Sequence, residues 1–128
     1  MKIKKRDDVP FADTQGYTEV TKQVVLGPED GCNEIILRYF SVAPGGATPY
    51  HQHDFPHVVR IEAGTGVAVD ADKNETPVVP GDYVYVDDNE IHNFKNTGDT
   101  PFDFICLVPL RGELSNMSCA MPPAEDSE

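Results

Sequence analysis

The chemistry open to this chain is concentrated in its histidines. Only four occur in 128 residues, and three of them fall within Tyr50-His51-Gln52-His53-Asp54-Phe55-Pro56-His57; the fourth is His92. Neutral imidazole is a common ligand for divalent transition metals. On a β-strand, residues i and i+2 point to one face, so His51 and His53 are expected to direct two rings into one cavity. Pro56 disfavours helix at Phe55 and suggests a bend, which would bring His57, at the start of the next strand, beside that pair. An HxH pair alone is usually no more than two side chains on a strand, so the wider spacing has to decide.

Gly45 stands six positions before His51, His57 four after His53, and Gly64 seven after His57. A strand and a turn later, Gly81, His92 and Asn96 recur within a second segment, Gly81 to Asn96. The two segments resemble the paired motifs of the cupin superfamily, G-x5-HxH-x3-4-E-x6-G and G-x5-PxG-x2-H-x3-N. The resemblance implies an all-β, cupin-type double-stranded β-helix (jelly-roll) barrel, with His51, His53, His57 and His92 as the ligands of one divalent metal. This sequence departs from the motifs at three positions. His57 replaces the usual glutamate, Asp87 the proline, and Asn89 the glycine, a mild change because Asn tolerates the left-handed conformation. The first departure resembles the four-histidine subgroup of small cupins, some of which bind manganese.

Four neutral imidazoles would leave a divalent ion its full charge, so the site should attract anions. An octahedral ion would keep two positions for water, a chelating substrate, or substrate with dioxygen. One ion per chain is expected, Mn or Fe favoured by the resemblance and Ni, Cu and Zn also suited to imidazole.

The elements that must position these residues read as short strands. Eleven prolines and ten glycines punctuate β-branched and aromatic segments that alternate with period two. Strands are expected near Val20 to Leu26, Ile35 to Val42, Thr48 to His53, Val58 to Glu62, Gly66 to Asp70, Thr76 to Val79, Asp82 to Val86, Ile91 to Lys95 and Phe102 to Val108. Pro44-Gly45-Gly46, Pro80-Gly81 and Asp87-Asp88-Asn89 read as turns. Nine short strands must bury their apolar faces on one another, which points to a sandwich or closed barrel. The chain divides into an N-terminal arm (1–16), either packed on a neighbouring subunit or frayed, a barrel (17–111), and an acidic, proline-rich tail (112–128) whose end is expected to be disordered.

Strand parity nominates pocket walls. In Phe102 to Val108, polar Asp103 marks Phe102, Phe104, Cys106 and Val108 as the inward face, so Phe104 and Cys106 are pocket candidates. Arg38 shares a face with Ile36 and Phe40, where a cation needs either a substrate carboxylate or, as the stronger expectation, an internal Asp or Glu. Asp54, Asp87, Asp88 and Glu90 lie close enough in sequence to orient the imidazoles. Tyr50, Tyr83 and Tyr85 are weak acid–base candidates.

Composition bounds the partners. A net charge of −12 with no Lys/Arg stripe argues against nucleic acid, and no apolar run reaches the length of a membrane span. Three cysteines, Cys32, Cys106 and Cys119, form neither a disulfide framework nor a zinc ribbon and fit a reducing, cytoplasmic setting. The basic start runs into Asp7-Asp8 instead of the apolar stretch of a secretory leader. A homodimer is expected because two-fold pairing is the commonest oligomeric arrangement. The leading expectation for function is a metal-dependent oxidoreductase, dioxygenase-like, acting on a small chelating anionic substrate. The alternatives are an isomerase or lyase using Lewis-acid catalysis and a non-catalytic sensor of a small molecule.

Overall fold

The computed structural model describes residues 1–113. Among them are eight strands: β1 (Thr18–Leu26), β2 (Ile35–Ala47), β3 (His57–Ala63), β4 (Gly66–Val69), β5 (Glu75–Val78), β6 (Tyr83–Val86), β7 (Asn93–Lys95) and β8 (Phe102–Pro109). All pair antiparallel in one curled sheet ordered β5-β4-β7-β2-β8-β3-β6, with β1 added along β2. This is the jelly-roll barrel that the cupin resemblance implies. Its two edges are β5 and β6, which follow each other in sequence yet do not pair among the described residues.

The alternation is cleanest in β2 and β8, where every second residue is buried from Ile36 to Val42 and from Phe102 to Val108. These inward residues build the core: Phe104 packs on Phe40, Phe94 and Phe102, at ring-centroid separations of 5.2, 4.8 and 5.6 Å. Burial of each such side chain is worth about 1.5–3 kcal/mol. Truncating Phe104 to Ala would cost about 3–5 kcal/mol, because the surrounding rings cannot collapse into the space.

Two expected elements differ. Pro44-Gly45-Gly46 is no turn; β2 runs through it, pairing with β8 up to Val42 and with β7 at Ala47. Gly45, at φ +84°, bends the strand, and Gly46 passes so close to the Thr18 carbonyl that a Cβ would lie 2.5 Å from it. The glycines here let one strand serve both halves of the barrel. Thr48 to His53, in turn, is no continuous strand. Its pairing is one isolated bridge, His51 to His92, and Thr48 is held by accepting from Phe94 N at its Oγ1 and from Asn93 Nδ2 at its carbonyl, both 3.0 Å.

The N-terminal arm packs on its own barrel. Gln23 Nε2 donates to the carbonyls of Arg6 and Val9, both at 2.9 Å, and Ala12 bridges Lys22 in β1. At the other end a helical turn starts at Leu110. Its Gly112 lies against Phe55, so close that a Cβ would meet the ring at 2.7 Å. The expected disorder of the tail, like Cys119, falls outside the described residues. No helix among those described is long and apolar enough to cross a membrane.

Candidate metal centre

Three histidines close in sequence, His51, His53 and His57, meet the distant His92. His51 and His92 are joined through their backbones, His51 N donating to His92 O at 3.1 Å and His92 N to His51 O at 3.0 Å. His57 opens β3 and His53 lies in the loop between. The Nε2 atoms of His51 and His53 are 3.0 Å apart, and His57 lies with its ring centroid 5.3 Å from that of His53 and 5.0 Å from that of His92. The i, i+2 strand geometry expected for His51 and His53 is not what unites them. The bridge to His92 fixes one, and the loop turns the other toward it.

The surroundings orient the rings. His92 Nδ1 is 2.9 Å from the Glu90 carbonyl, which can only accept, so Nδ1 carries the proton and Nε2 presents a lone pair. The stabilising contact from Glu90 is thus made by its backbone; its carboxylate caps Asp87 N at 2.9 Å. Among the other acidic neighbours, Asp54 contributes its carbonyl to Arg111, and Asp87 accepts from Tyr85 and from Asp88 N. Asn89 stands at φ +63°, the left-handed conformation its replacement of glycine requires.

Sequence reasoning missed Phe55. It is fully buried, stacks on His53 with centroids 4.7 Å apart and 12° between planes, and lies 5.1 Å from His57. The phenyl ring thereby backs two of the four imidazoles. The signal for it was its place just before Pro56, in the extended conformation that proline enforces.

Burial keeps the imidazoles neutral. It depresses His51 to about 3, His53 to about 4 and His57 to about 2, with neighbouring histidines and Arg38 adding repulsion. His92 is lowered too, chiefly by burial and against the pull of Glu90. Neutral imidazole is the ligating form. His57 Nδ1 is moreover buried without a hydrogen-bond partner, a cost of about 1–3 kcal/mol for a group with no purely structural return.

The three pocket candidates are all inside the barrel. Phe104 is core. Arg38 has the internal partner expected for it, the Glu113 carboxylate at 3.5 Å, and donates from Nη2 to Cys106 Sγ at 3.2 Å. Glu113 also pairs with Lys22 at 3.2 Å, so the C-terminal turn closes the barrel with a buried charge cluster. No local pattern marks that partner, because Glu113 lies 75 positions from Arg38 in a segment that reads as tail.

None of the three lines the open cavity. That space, about 460 Å³, lies between the edge strands β5 and β6 and reaches His92, Asn93 and Phe94. Its walls include Tyr83 and Tyr85: the Tyr83 hydroxyl accepts from Arg60 Nε at 3.3 Å and keeps its own proton free to donate, whereas the Tyr85 hydroxyl donates to Asp87. Tyr50 donates to the Asp70 carbonyl at 2.6 Å.

The family described as Cupin domain matches residues 38–108. The 1-methylthio-D-xylulose 5-phosphate methylsulfurylase of Rhodospirillum rubrum is 33% identical over 92 residues, 72% of this chain and 57% of that protein, so the chain spans less than two thirds of that relative. The oxalate-binding protein of Thermotoga maritima is 32% identical over 97 residues, 74% of this chain and 79% of that one. Among solved structures, the polyketide cyclase RemF from Streptomyces resistomycificus superposes with a TM-score of 0.80 at 27% identity, covering 86% of this chain and 80% of its own. The matched stretch runs from Arg38 to Val108 and takes in all four histidines, and the chain belongs to the cupin family.

Proposed function

We propose that this cupin holds one divalent transition ion on His51, His53, His57 and His92 and uses it to bind and activate a small chelating anionic substrate. The observation that carries the reading is the Nε2 pair of His51 and His53, 3.0 Å apart. Two nitrogens bound at right angles to one ion, each about 2.1 Å from it, lie about 3.0 Å from each other. No three ligand-type side chains among the described residues are drawn tightly enough to hold an ion as they stand. His57 and His92 would therefore turn their rings inward on binding. Mn or Fe is the favoured ion, with Ni, Cu and Zn as substitutes.

Such an ion supplies a Lewis acid and, if redox-active, a route for electrons. The chain does the rest. Glu90 O fixes the His92 tautomer, Phe55 backs His53 and His57, and four uncharged ligands leave the site positive toward an enolate or carboxylate. Glu90 and Asp70 line the same cavity as His92, supplying proton acceptors for redox-free chemistry. This favours isomerase-, lyase- or cyclase-type reactions over the oxygenase expectation. A solved structure named as a polyketide cyclase points the same way, and a relative named for oxalate binding supports a chelating anionic ligand.

Oxygen chemistry is the second reading, favoured by the hydrogen bonds in which the Tyr50 and Tyr85 hydroxyls already donate their protons. An anaerobic product screen of the Zn and Mn forms against enols, β-diketones and dicarboxylates separates the two, with oxygen uptake followed in parallel on the Mn and Fe forms. Turnover without oxygen, retained with Zn, is expected. Turnover only with oxygen establishes the second reading, and stoichiometric binding without turnover establishes a sensor.

A further inference from the structure

We infer that Lys22 and Arg38 form a carboxylate-binding subsite beside the histidines, which the chain's own Glu113 fills in this structure and which a ligand carboxylate takes when the turn carrying Glu113 lifts. This deepens the reading of a chelated anionic substrate, on which it rests for the ligand's other end: such a ligand chelates at its head and carries a carboxylate at its tail.

The cluster holds more positive charge than its partner satisfies. Lys22, Arg38 and Glu113 are 5%, 3% and 3% exposed, so among the described residues two buried cations share one carboxylate. Glu113 Oε2 accepts from Lys22 Nζ at 3.2 Å, whereas its Oε1 has no hydrogen bond and stands 3.5 Å from Arg38 Nη1. Arg38 spends Nη2 on a weak acceptor, Cys106 Sγ, and its Nε has no partner among the described residues. A guanidinium can grip a carboxylate with two parallel N–H groups. Tethered to the main chain, Glu113 stops short of that grip. A carboxylate on a separate molecule is free to take it.

The position suits the second end of a chelated ligand. Arg38, Cys106 and Val59 are in register across β2, β8 and β3, and His57 stands two residues from Val59 on the same buried face. Two strand spacings, about 10 Å, separate β2 from β3. The Arg38 charge accordingly reaches His51, His53 and His57. The turn that carries Glu113 also touches the histidine loop. Gly112 lies against Phe55, the ring stacked on His53, and Arg111 Nη2 donates to the Asp54 carbonyl at 3.2 Å. Besides that bond and Glu113 itself, Leu110 N holds the turn by donating to the Glu34 carbonyl at 2.9 Å. Local opening of one such turn costs less than unfolding the barrel.

Metal-free, full-length protein tests the subsite with acetate as the probe. Glu113→Ala should bind acetate, read as a rise in melting temperature, at least about tenfold more tightly than wild type does, the equivalent of about 1.4 kcal/mol. Acetamide and chloride should not reproduce the rise, and adding Lys22→Met should abolish it. Glu113→Gln, which keeps the side-chain volume, takes the place of the Ala variant if that one does not fold, and should show the same order of affinities. Displacement is read on wild type with trypsin, because Arg111 is the last basic residue of the sequence and cleavage after it releases residues 112–128 as one fragment. At roughly ten times the variant's acetate dissociation constant, mass action raises the open population about elevenfold. Release of the fragment should rise with it, relative to chloride at equal ionic strength. Equal acetate affinity in wild type and variant, an equal response to acetamide, a response that survives Lys22→Met, or a release rate unchanged by acetate overturns the inference. The metal reading is scored separately, by titrating Zn into wild type in acetate-free buffer: absence of Zn binding would overturn the metal centre and leave the acetate results standing.

Discussion

His51 and His92 face each other across an antiparallel bridge in which each backbone amide donates to the other's carbonyl, at 3.1 and 3.0 Å. Two histidines forty-one positions apart are thus fixed by main chain alone, and their side chains are left free for chemistry. Replacing His92 by Ala should leave the bridge and the far-ultraviolet circular dichroism intact. Affinity for Mn or Zn should fall by more than about a hundredfold, since losing even an outer partner of a ligand costs 10–100-fold. Titration of apo-protein with metal checks both, and undiminished affinity would remove His92 from the centre.

Charge at the centre can be altered without removing a ligand. His57→Glu should preserve metal binding and weaken oxalate binding to the metal form, because the carboxylate cancels about one unit of site charge. Equal oxalate affinity in the two proteins would show that uncompensated charge does not draw the anion.

Stability of the metal-free protein should depend on pH through the same rings. His51, His53 and His57 are depressed to about 3, 4 and 2 in the fold, against about 6.5 in the unfolded chain. Below pH 6.5 the unfolded chain takes up protons that the folded protein refuses, so acidification favours unfolding. The melting temperature should fall steadily from pH 7 to pH 4.5. The triple variant His51→Gln, His53→Gln, His57→Gln should show a shallower fall, and an identical slope would place the titrating groups elsewhere.

The buried charge cluster around Glu113 makes a separate prediction. Glu113 is the carboxylate partner of both Lys22 and Arg38, all three nearly inaccessible. Glu113→Ala would leave two buried cations facing each other and should cost about 3–5 kcal/mol in urea unfolding. Adding Lys22→Met should recover part of the loss; failure to do so would mean that charge is not its cause.

The barrel and its histidine set were legible in the sequence for physical reasons. Period-two alternation in β2 and β8 states which side chains go inward, since a strand has only two faces. Turn-forming residues mark most strand ends, and an imidazole cluster has few chemical uses besides ligation or catalysis. Asn89 could be read as a glycine substitute because the left-handed conformation admits few other side chains. What the sequence could not state was contact between distant segments. Pro44-Gly45-Gly46 has the composition of a turn, and only the close approach of Thr18 and the change of partner from β8 to β7 make it a bend within one strand. His51 and His53 have the spacing of a strand pair, yet the bridge to His92 and the stack on Phe55 place them. Glu113 looks like tail until the fold brings it to Arg38, and the cavity beside His92 is walled by β5 and β6, edge strands that do not pair with each other among the described residues. Each of these depends on groups remote in sequence, and local pattern carries no information about which remote group will be near.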